Sequence, residues 1–462
     1  MKIKLLGLAL FLSFGLIQAQ QKKTELFNGK NLKGWKKLNG TAEFQAENGE
    51  IIGVSTKGSK TSTFLATSKT YTNFVLEYEF IVGEGLNSGV QIRSNVTEKD
   101  VVYGLQVEAD DSRRSWTGGL YDQSGKGWRY PLEYNKPAKA AFKKGEWNKV
   151  KVVAYENRIA TWLNGVSATN LIEEEVTTGF IALQVHNIGN NDAKDGILNK
   201  WRNITIQKLD KEPSFDEVNA PEVSYLHNEL TDTQVKDGWE LLWDGKTSNG
   251  WRGAKRDDFP TFGWTMADGI LTIQSSGGGE SAHAGDIVTT QPYQNFILEV
   301  DFKFTEGANS GIKYFVDTEL NKGKGSAIGC EFQILDDKKH PDAKKGVQGN
   351  RTVGSLYDLI TADSRIYVDG LKPKKYVNYG KWNRARVEVA GKKVRHILNG
   401  CTVVEYERGT QQWKALVAYS KYQKWPNFGE AEKGLILLQD HGDEVHFKNI
   451  KIKELDDKNP SI

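Results

Sequence analysis

The segment Leu435–His441 ends in Gln439-Asp440-His441, where an amide, a carboxylate and an imidazole stand in a row. Imidazole titrates near neutrality, so it can take up or release a proton under ordinary conditions. Upstream, Cys330–Leu335 carries Glu331 and Gln333 separated by Phe332 and followed by Ile334. Such alternation sends the apolar residues to one face of a strand and the carboxylate and amide to the other. By the same rule Ile436 and Leu438 oppose Gln439 and His441. These residue types recur in the first half of the chain, with Gln106 and Glu108 on one segment and Gln184 and His186 on another. A curved sheet would gather them into one concave surface. The plainer alternative is a solvated strand face, since Glu and Gln are usually just exposed, and duplication alone would preserve a structural histidine. Tyr357-Asp358 follows a Gly354-Ser355 turn signal, where a tyrosine could form a lid or fill a corner.

Other chemistries lack their motifs. There is no Gly-x-Ser-x-Gly elbow, no His-Glu-x-x-His, no dinucleotide fingerprint and no P-loop. Asn191-Asp192 with Asp195-Gly196 resembles a calcium loop but has no terminal Glu, and reads as a polar turn. Lys372, Lys374 and Lys375 read as a solvated loop.

The elements that hold these residues repeat. Leu26-Phe27-Asn28-Gly29-Lys30 with Gly34-Trp35 returns as Leu242-Trp243-Asp244-Gly245-Lys246 with Gly250-Trp251. Asn73–Phe80 returns as Asn295–Phe302, Asn87-Ser88-Gly89-Val90 as Asn309-Ser310-Gly311-Ile312, and Leu120-Tyr121-Asp122 as Leu356-Tyr357-Asp358. Leu163-Asn164-Gly165 matches Leu398-Asn399-Gly400, and Gln184-Val185-His186 matches Gln439-Asp440-His441. The order never changes, while the separation grows from 216 residues at Trp35/Trp251 to 255 at His186/His441. That is a duplicated unit with loop insertions, the largest around Trp413–Glu432. Strand alternation dominates: in Asn295–Phe304 the residues Phe296, Leu298, Val300, Phe302 and Phe304 share one face, and Glu299, Asp301 and Lys303 share an exposed one. Asn164-Gly165 and Asn399-Gly400 predict type I′ hairpins. Each repeat reads as an all-β sandwich, over 24–210 and 226–456. They are joined by a linker at 211–225 that holds Pro213 and Pro221. After the join, Thr231-Asp232-Thr233-Gln234 has the form of a capping box.

Composition agrees with a soluble chain: of 462 residues, 38% are hydrophobic and 26% charged, with 47 Gly and 13 Trp. The net charge of +3 gives no electrostatic reason to seek nucleic acid or anionic lipid. Lys2 and Lys4 precede an apolar run, Leu5–Leu16, and Ile17-Gln18-Ala19 has the small-residue form of a cleavage site. That predicts a signal peptide over 1–19, and an exported protein, periplasmic or secreted, with no membrane span and no cysteine near the cut for a lipid anchor. Cys330 and Cys401 could pair after export, but a chain of this size needs no staple, and two separate buried thiols are the default.

At this point the phrases Leu-Trp-Asp-Gly-Lys…Gly-Trp, Asn-Ser-Gly-Ile, Glu-Phe-Gln-Ile-Leu-Asp-Asp, Gly-Ser-Leu-Tyr-Asp and Leu-Gln-Asp-His-Gly resemble the 3-keto-disaccharide hydrolase domain (DUF1080). The resemblance covers the mature chain twice. It is closer in the second repeat and divergent in the first, where Gln106-Val107-Glu108-Ala109-Asp110 and Gln184-Val185-His186 stand. It implies two tandem concanavalin A-like jelly-roll β-sandwiches and cleavage of glycosides already oxidised to a ketone at C3. Such a ketone acidifies the C2 proton and makes the C1 aglycone a β-leaving group. A base can remove the proton, the aglycone departs, and water adds to the enone.

On this resemblance His441 is the base, with Glu331 and Asp440 as catalytic partners. Gln333, Gln439, Asn309, Asp336, Tyr357 and Asp358 would bind the keto sugar. In the first repeat His186, Gln184, Gln106, Glu108, Tyr121 and Asp122 would take matching places, although Val185 replaces the aspartate. No cofactor is demanded; a divalent cation held by His and carboxylate oxygens could stabilise the enolate. The partner is thus an oxidised sugar. The competing class is a non-catalytic carbohydrate-binding module or a two-carboxylate glucanase on the same sandwich. Glu299-Val300-Asp301 is followed by Lys303 and Phe304, so the second carboxylate of a glucanase strand is missing. Trp116, Trp128 and Trp425 could stack on sugar rings or pack in the core.

Overall fold

The computed structural model describes residues 22–363, 375–456 and 460; the expected signal peptide at 1–19, and Lys372 and Lys374, lie outside them. The fold is all-β, as the alternation predicts: two tandem sandwiches, of the concanavalin A-like jelly-roll kind that the resemblance implies. In the first unit a 9-stranded sheet packs on a 7-stranded one, and in the second an 8-stranded sheet packs on a 5-stranded one. Among the described residues no strand of one unit pairs with a strand of the other. The smaller sheets share one strand order. In the first unit the strands Val102–Asp110, Asn87–Val96, Phe180–Val185, Thr63–Thr67 and Trp35–Asn39 are neighbours in that sequence. In the second unit Ile328–Leu335, Asn309–Asp317, Leu435–Leu438, Ile287–Thr289 and Trp251–Gly253 follow the same path.

The apolar faces meet between the sheets. Phe296, Leu298, Val300, Phe302 and Phe304 are buried against Phe332, Ile334, Ile436 and Leu438. Phe74, Leu76, Tyr78 and Phe80 meet Val90, Ile92, Leu105 and Leu183 in the same way. Burying each such side chain stabilises the fold by about 1.5–3 kcal/mol. At the hairpin tips Asn164 and Gly165 have φ of 50° and 86°, and Asn399 and Gly400 have 48° and 80°, the paired positive angles a type I′ turn requires. Thr231 closes the expected capping box on a short helix, Asp232–Lys236. Cys330 and Cys401 are buried and free.

One expectation is overturned. Glu299 and Asp301 do not face solvent; they are 6% and 4% exposed. Arg384 Nε donates to Asp301 Oδ1 at 2.6 Å, Arg386 Nη1 donates to Glu299 Oε1 at 2.9 Å, and Lys451 Nζ lies 3.2 Å from Glu299 Oε2. Despite burial, these cations hold both carboxyls below their ordinary range. The cover comes from the join between the units. Its last residues, Glu222–Ser224, form a strand parallel to Val166–Ile172 of the first unit. Arg384 Nη1 then donates to Ser224 O at 2.8 Å. Tyr225 lies between two guanidiniums, 3.4 Å from Arg129 and 4.0 Å from Arg384. Alternation foretells which face a side chain takes, not what docks on it.

Candidate active site

Glu331 and Gln333 lie on Ile328–Leu335, paired with Asn309–Asp317 so that Lys313 stands opposite Glu331 and Gly311 opposite Gln333. They do share the face away from the core, but loops cover it: Glu331 is 3% exposed and Gln333 0%. Lys313 Nζ is 3.6 Å from Glu331 Oε2 and 3.9 Å from Glu280 Oε1. Burial pushes the Glu331 carboxyl above its ordinary range, while Lys313 and Lys421 pull against that rise. Gly311 makes room for it, since a Cβ there would lie 2.4 Å from Glu331 Oε1. With its amide nitrogen turned toward acceptors, Gln333 donates to Glu331 Oε1 at 3.0 Å and to Ser310 O at 3.1 Å. Asn309, also buried, borders Gln333 and is fixed by its own N–H donating to Asp443 Oδ2 at 2.9 Å.

The strand carrying the most specific phrase ends at Leu438, yet Gln439 N still donates to Gly311 O at 3.0 Å. Gln439 Nε2 donates to Glu280 Oε1 at 3.0 Å, and its buried Oε1 has no partner. His441 follows, half-buried, its ring edge-on to His340 at 6.1 Å between centroids. His340 Nδ1 accepts from Asp342 N at 3.1 Å, which fixes that ring; burial first, and then His441, lower its pKa. Tyr357 Oη donates to Asp342 Oδ2 at 2.8 Å, and Lys421 Nζ sits 4.2 Å over the Tyr357 ring. Lys421 is delivered by the insertion that follows the helix Gln411–Ala418.

Three predicted site residues instead hold backbone or neighbouring charge. Asp440 is fully buried and accepts from Gly285 N at 2.9 Å and Gly442 N at 3.0 Å, so both its oxygens fasten loops. Asp336 accepts from Gly307 N at 2.8 Å and Lys338 N at 3.0 Å. Asp358 binds Arg351 at 2.7 Å and accepts from Lys421 N at 2.9 Å, so it positions the lysine. Lys375, expected in solvent, pairs with Asp337 at 2.8 Å.

The first unit holds a cleft of about 580 Å³ that includes Gln106, Glu108, Tyr121, Gln184 and His186. The register places Gln106 opposite Gln91 and Glu108 opposite Gly89, so carboxylate and amide have exchanged places relative to Glu331 and Gln333. Gln106 Nε2 donates to Glu108 Oε2 at 2.9 Å, and Arg114 Nη2 donates to Glu108 Oε1 at 2.9 Å. Burial pushes the Glu108 carboxyl up to about 7, with Arg114 opposing and Asp110 adding. His186 is exposed at the mouth, its Nδ1 2.8 Å from Asn187 O. Asp122 is turned away: on Leu120–Gln123 its neighbours Tyr121 and Gln123 line the cleft, while Asp122 Oδ2 accepts from Lys126 N at 2.6 Å. Trp128 borders the cleft, Trp116 is core, and Trp425 lies half-buried under Lys424.

Sequence reasoning missed Lys313, Glu280, His340, Lys421 and Arg114. Lys313 was within reach, because alternation from the repeated Gly311 puts it on the same face. The others come from loops. Among the described residues no group of three or more His, Cys, Asp and Glu side chains is arranged to hold a metal ion, so the cation that the resemblance allows finds no such donor set. No helix among them is long and apolar enough to cross a membrane.

Residues 22–207 and 238–453 match the model of the 3-keto-alpha-glucoside-1,2-lyase-like domain. Over 240 residues, 48% of this chain and 79% of the relative, the sequence is 39% identical to a 3-keto-disaccharide hydrolase of Bacteroides thetaiotaomicron. Among solved structures it is similar to a candidate glycosyl hydrolase of Parabacteroides distasonis at 30% identity, covering 50% of this chain and 100% of that one, with a TM-score of 0.43. A second candidate glycosyl hydrolase of that organism matches at 27% identity, 47% and 99% coverage, and a TM-score of 0.33. Matched in both of its units, this chain belongs to the 3-keto-alpha-glucoside-1,2-lyase-like domain family.

Proposed function

We propose that this chain is an exported enzyme that cleaves 3-keto-glycosides by elimination and hydration, with its chemistry at the second-unit site. Its relationship to a 3-keto-disaccharide hydrolase supports glycosidic-bond cleavage. The observation that carries the finer reading is the pairing of a raised carboxyl, Glu331, with a buried amide oxygen, Gln439 Oε1, that has no partner. A sugar hydroxyl supplies the missing donor, and a carboxyl whose affinity for its proton burial has raised can give that proton to a leaving group. His441 takes the proton from C2, and the electron pair moves into a C2–C3 enolate. Lys421, an exposed cation over the Tyr357 ring, offsets the charge on that oxygen. When the ketone re-forms, the C1–O bond breaks and Glu331 protonates the departing aglycone oxygen. Water then adds at C1 and a proton returns to C2, so the sum is hydrolysis.

Purified protein should release sugar from 3-keto-trehalose and leave trehalose intact, because only the ketone acidifies C2. Equal rates on both would end this mechanism. Binding of either sugar without turnover would make the chain a carbohydrate-binding protein instead. For export, the mature N-terminus should be Gln20 when sequenced; retention of Met1 would overturn that reading.

A further inference from the structure

The cleft of the first unit is not built by the first unit alone. Its floor is the pair of strands Asn87–Val96 and Val102–Asp110, while Tyr376 and Asn378 of the second unit form part of its wall. Asn378 is anchored there, its Nδ2 donating to Lys126 O at 2.6 Å. Arg114 joins the two units at the chemistry-bearing end. Its Nε donates to Asp110 Oδ2 at 2.7 Å, its Nη2 to Glu108 Oε1 at 2.9 Å, and its Nη1 to Tyr376 Oη at 3.2 Å. The guanidinium plane rests 4.7 Å from the Trp116 ring and 4.8 Å from the Trp128 ring. The arginine is therefore clamped on every side, and the last clamp comes from the other unit.

The cleft also carries the mark of a missing ligand. Gln184 Oε1 is buried without a partner, and Gln184 itself is 1% exposed. Trp128 and Tyr121, ring centroids 5.2 Å apart, add an aromatic wall above this polar floor. Polar groups beneath an aromatic wall suit a pyranose ring, which has hydroxyl edges and apolar faces.

We propose that this inter-unit cleft is a second glycoside site in which Glu108 transfers the proton and Tyr376, from the other unit, positions Glu108 through Arg114. The class of sugar rests on the function proposed above. Glu108 stands two residues further along its strand than Glu331 does, a shift of about 6–7 Å. The charged and titratable groups facing Glu108 are Arg114 and Asp110 beside it, Tyr121 on the next strand, Tyr376 opposite, and His186 and Lys194 at the mouth. Among the described residues only Arg114 forms an ion pair with its carboxylate.

The test uses the full chain with the second-unit site disabled by His441→Ala and Glu331→Gln. Titration calorimetry with 3-keto-trehalose on this variant with Glu108→Gln added, which should bind without turning over, should give two bound equivalents. Residual cleavage should follow a pH limb near 7, where Glu108 titrates. Adding Glu108→Gln should remove that cleavage by a factor of about 10²–10⁴. Adding Tyr376→Phe should lower it about tenfold and move the limb to higher pH, because a loosened Arg114 opposes the neutral carboxyl less. Its melting temperature should not change. A limb unmoved by Tyr376→Phe, or residual turnover that survives Glu108→Gln, overturns the assignment. A single equivalent in that triple variant, with no residual cleavage by the double variant, overturns the cleft alone. Two equivalents bound with no cleavage by the wild type would end both the function above and the proton-transfer role here.

Discussion

Gln106 occupies in the first unit the strand position that Glu331 occupies in the second. Each stands opposite the residue two beyond a shared Asn-Ser-Gly: Gln91 for the amide, Lys313 for the carboxylate. The substitution is coupled. Where the opposing residue is a cation the position holds an acid, and where it is neutral the acid has moved to Glu108 and found Arg114. Burying a carboxylate requires such a partner, so acid and cation move together. The two units therefore share a fold without sharing one arrangement of chemistry.

His441→Ala should cut the rate on 3-keto-trehalose by about 10²–10⁴, the usual loss of a general base. The half-buried ring makes little of the core, so thermal melting should be unchanged. Collapse of the fold in this variant would make His441 structural. His186→Ala should lose less, since the ring is exposed at the mouth of its cleft.

Gly311→Ala places a methyl 2.4 Å from Glu331 Oε1 and should displace that carboxyl. Turnover should fall about ten- to a hundredfold, and stability by about 1–3 kcal/mol from overpacking. Gly89→Ala, whose Cβ meets the Gln106 side chain at 2.5 Å, should cost similar stability and spare turnover at the second-unit site. Steady-state rates and denaturant melts on both variants decide it; equal loss of second-unit turnover would refute the placement of Glu331.

Stability should fall as pH rises from below 4.5 through about 7, because of Glu108. Its folded pKa is raised from 4.5 to about 7, so the proton favours the folded state until it is lost. Arg114 and Asp110 act on it in opposite senses. Denaturation midpoints across that range, in wild type and Glu108→Gln, should differ by this slope, and identical profiles would remove Glu108 from the account.

Arg384→Ala should cost about 3–5 kcal/mol, because it leaves Asp301 buried without its guanidinium, while Glu299 keeps Arg386 and Lys451. Those carboxyls are depressed in the folded state, so they contribute stability above their unfolded values and lose it as pH falls through the folded ones. The variant should unfold at higher pH on acidification than the wild type. A loss under 1 kcal/mol would show that the interface tolerates the bare charge.

Much of this molecule was legible because repetition and alternation are local signals. The duplicated phrases mark matching strands, and Asn164-Gly165 and Asn399-Gly400 mark hairpins whose dihedral angles follow. Glu331 and Gln333 take the face that period two assigns them. Asp440 and Asp336 bond backbone N–H groups, and a carboxylate in a loop reads alike in sequence whether it meets those or a substrate. Arg114, Lys421 and Tyr376 had no periodic signal, since their positions depend on how loops and a second unit fold over a sheet.

The strand Glu222–Ser224 belongs to the first unit's sheet but follows the exposed Lys211 in the chain. A single cut after Lys211 would therefore leave part of one sandwich covalently attached to the other. The fragments would remain seated together through that strand and through Tyr225, which the second fragment carries and which stacks on Arg129 of the first. Two half-chains divided there and produced separately have, in this strand, the means to find each other and rebuild the whole.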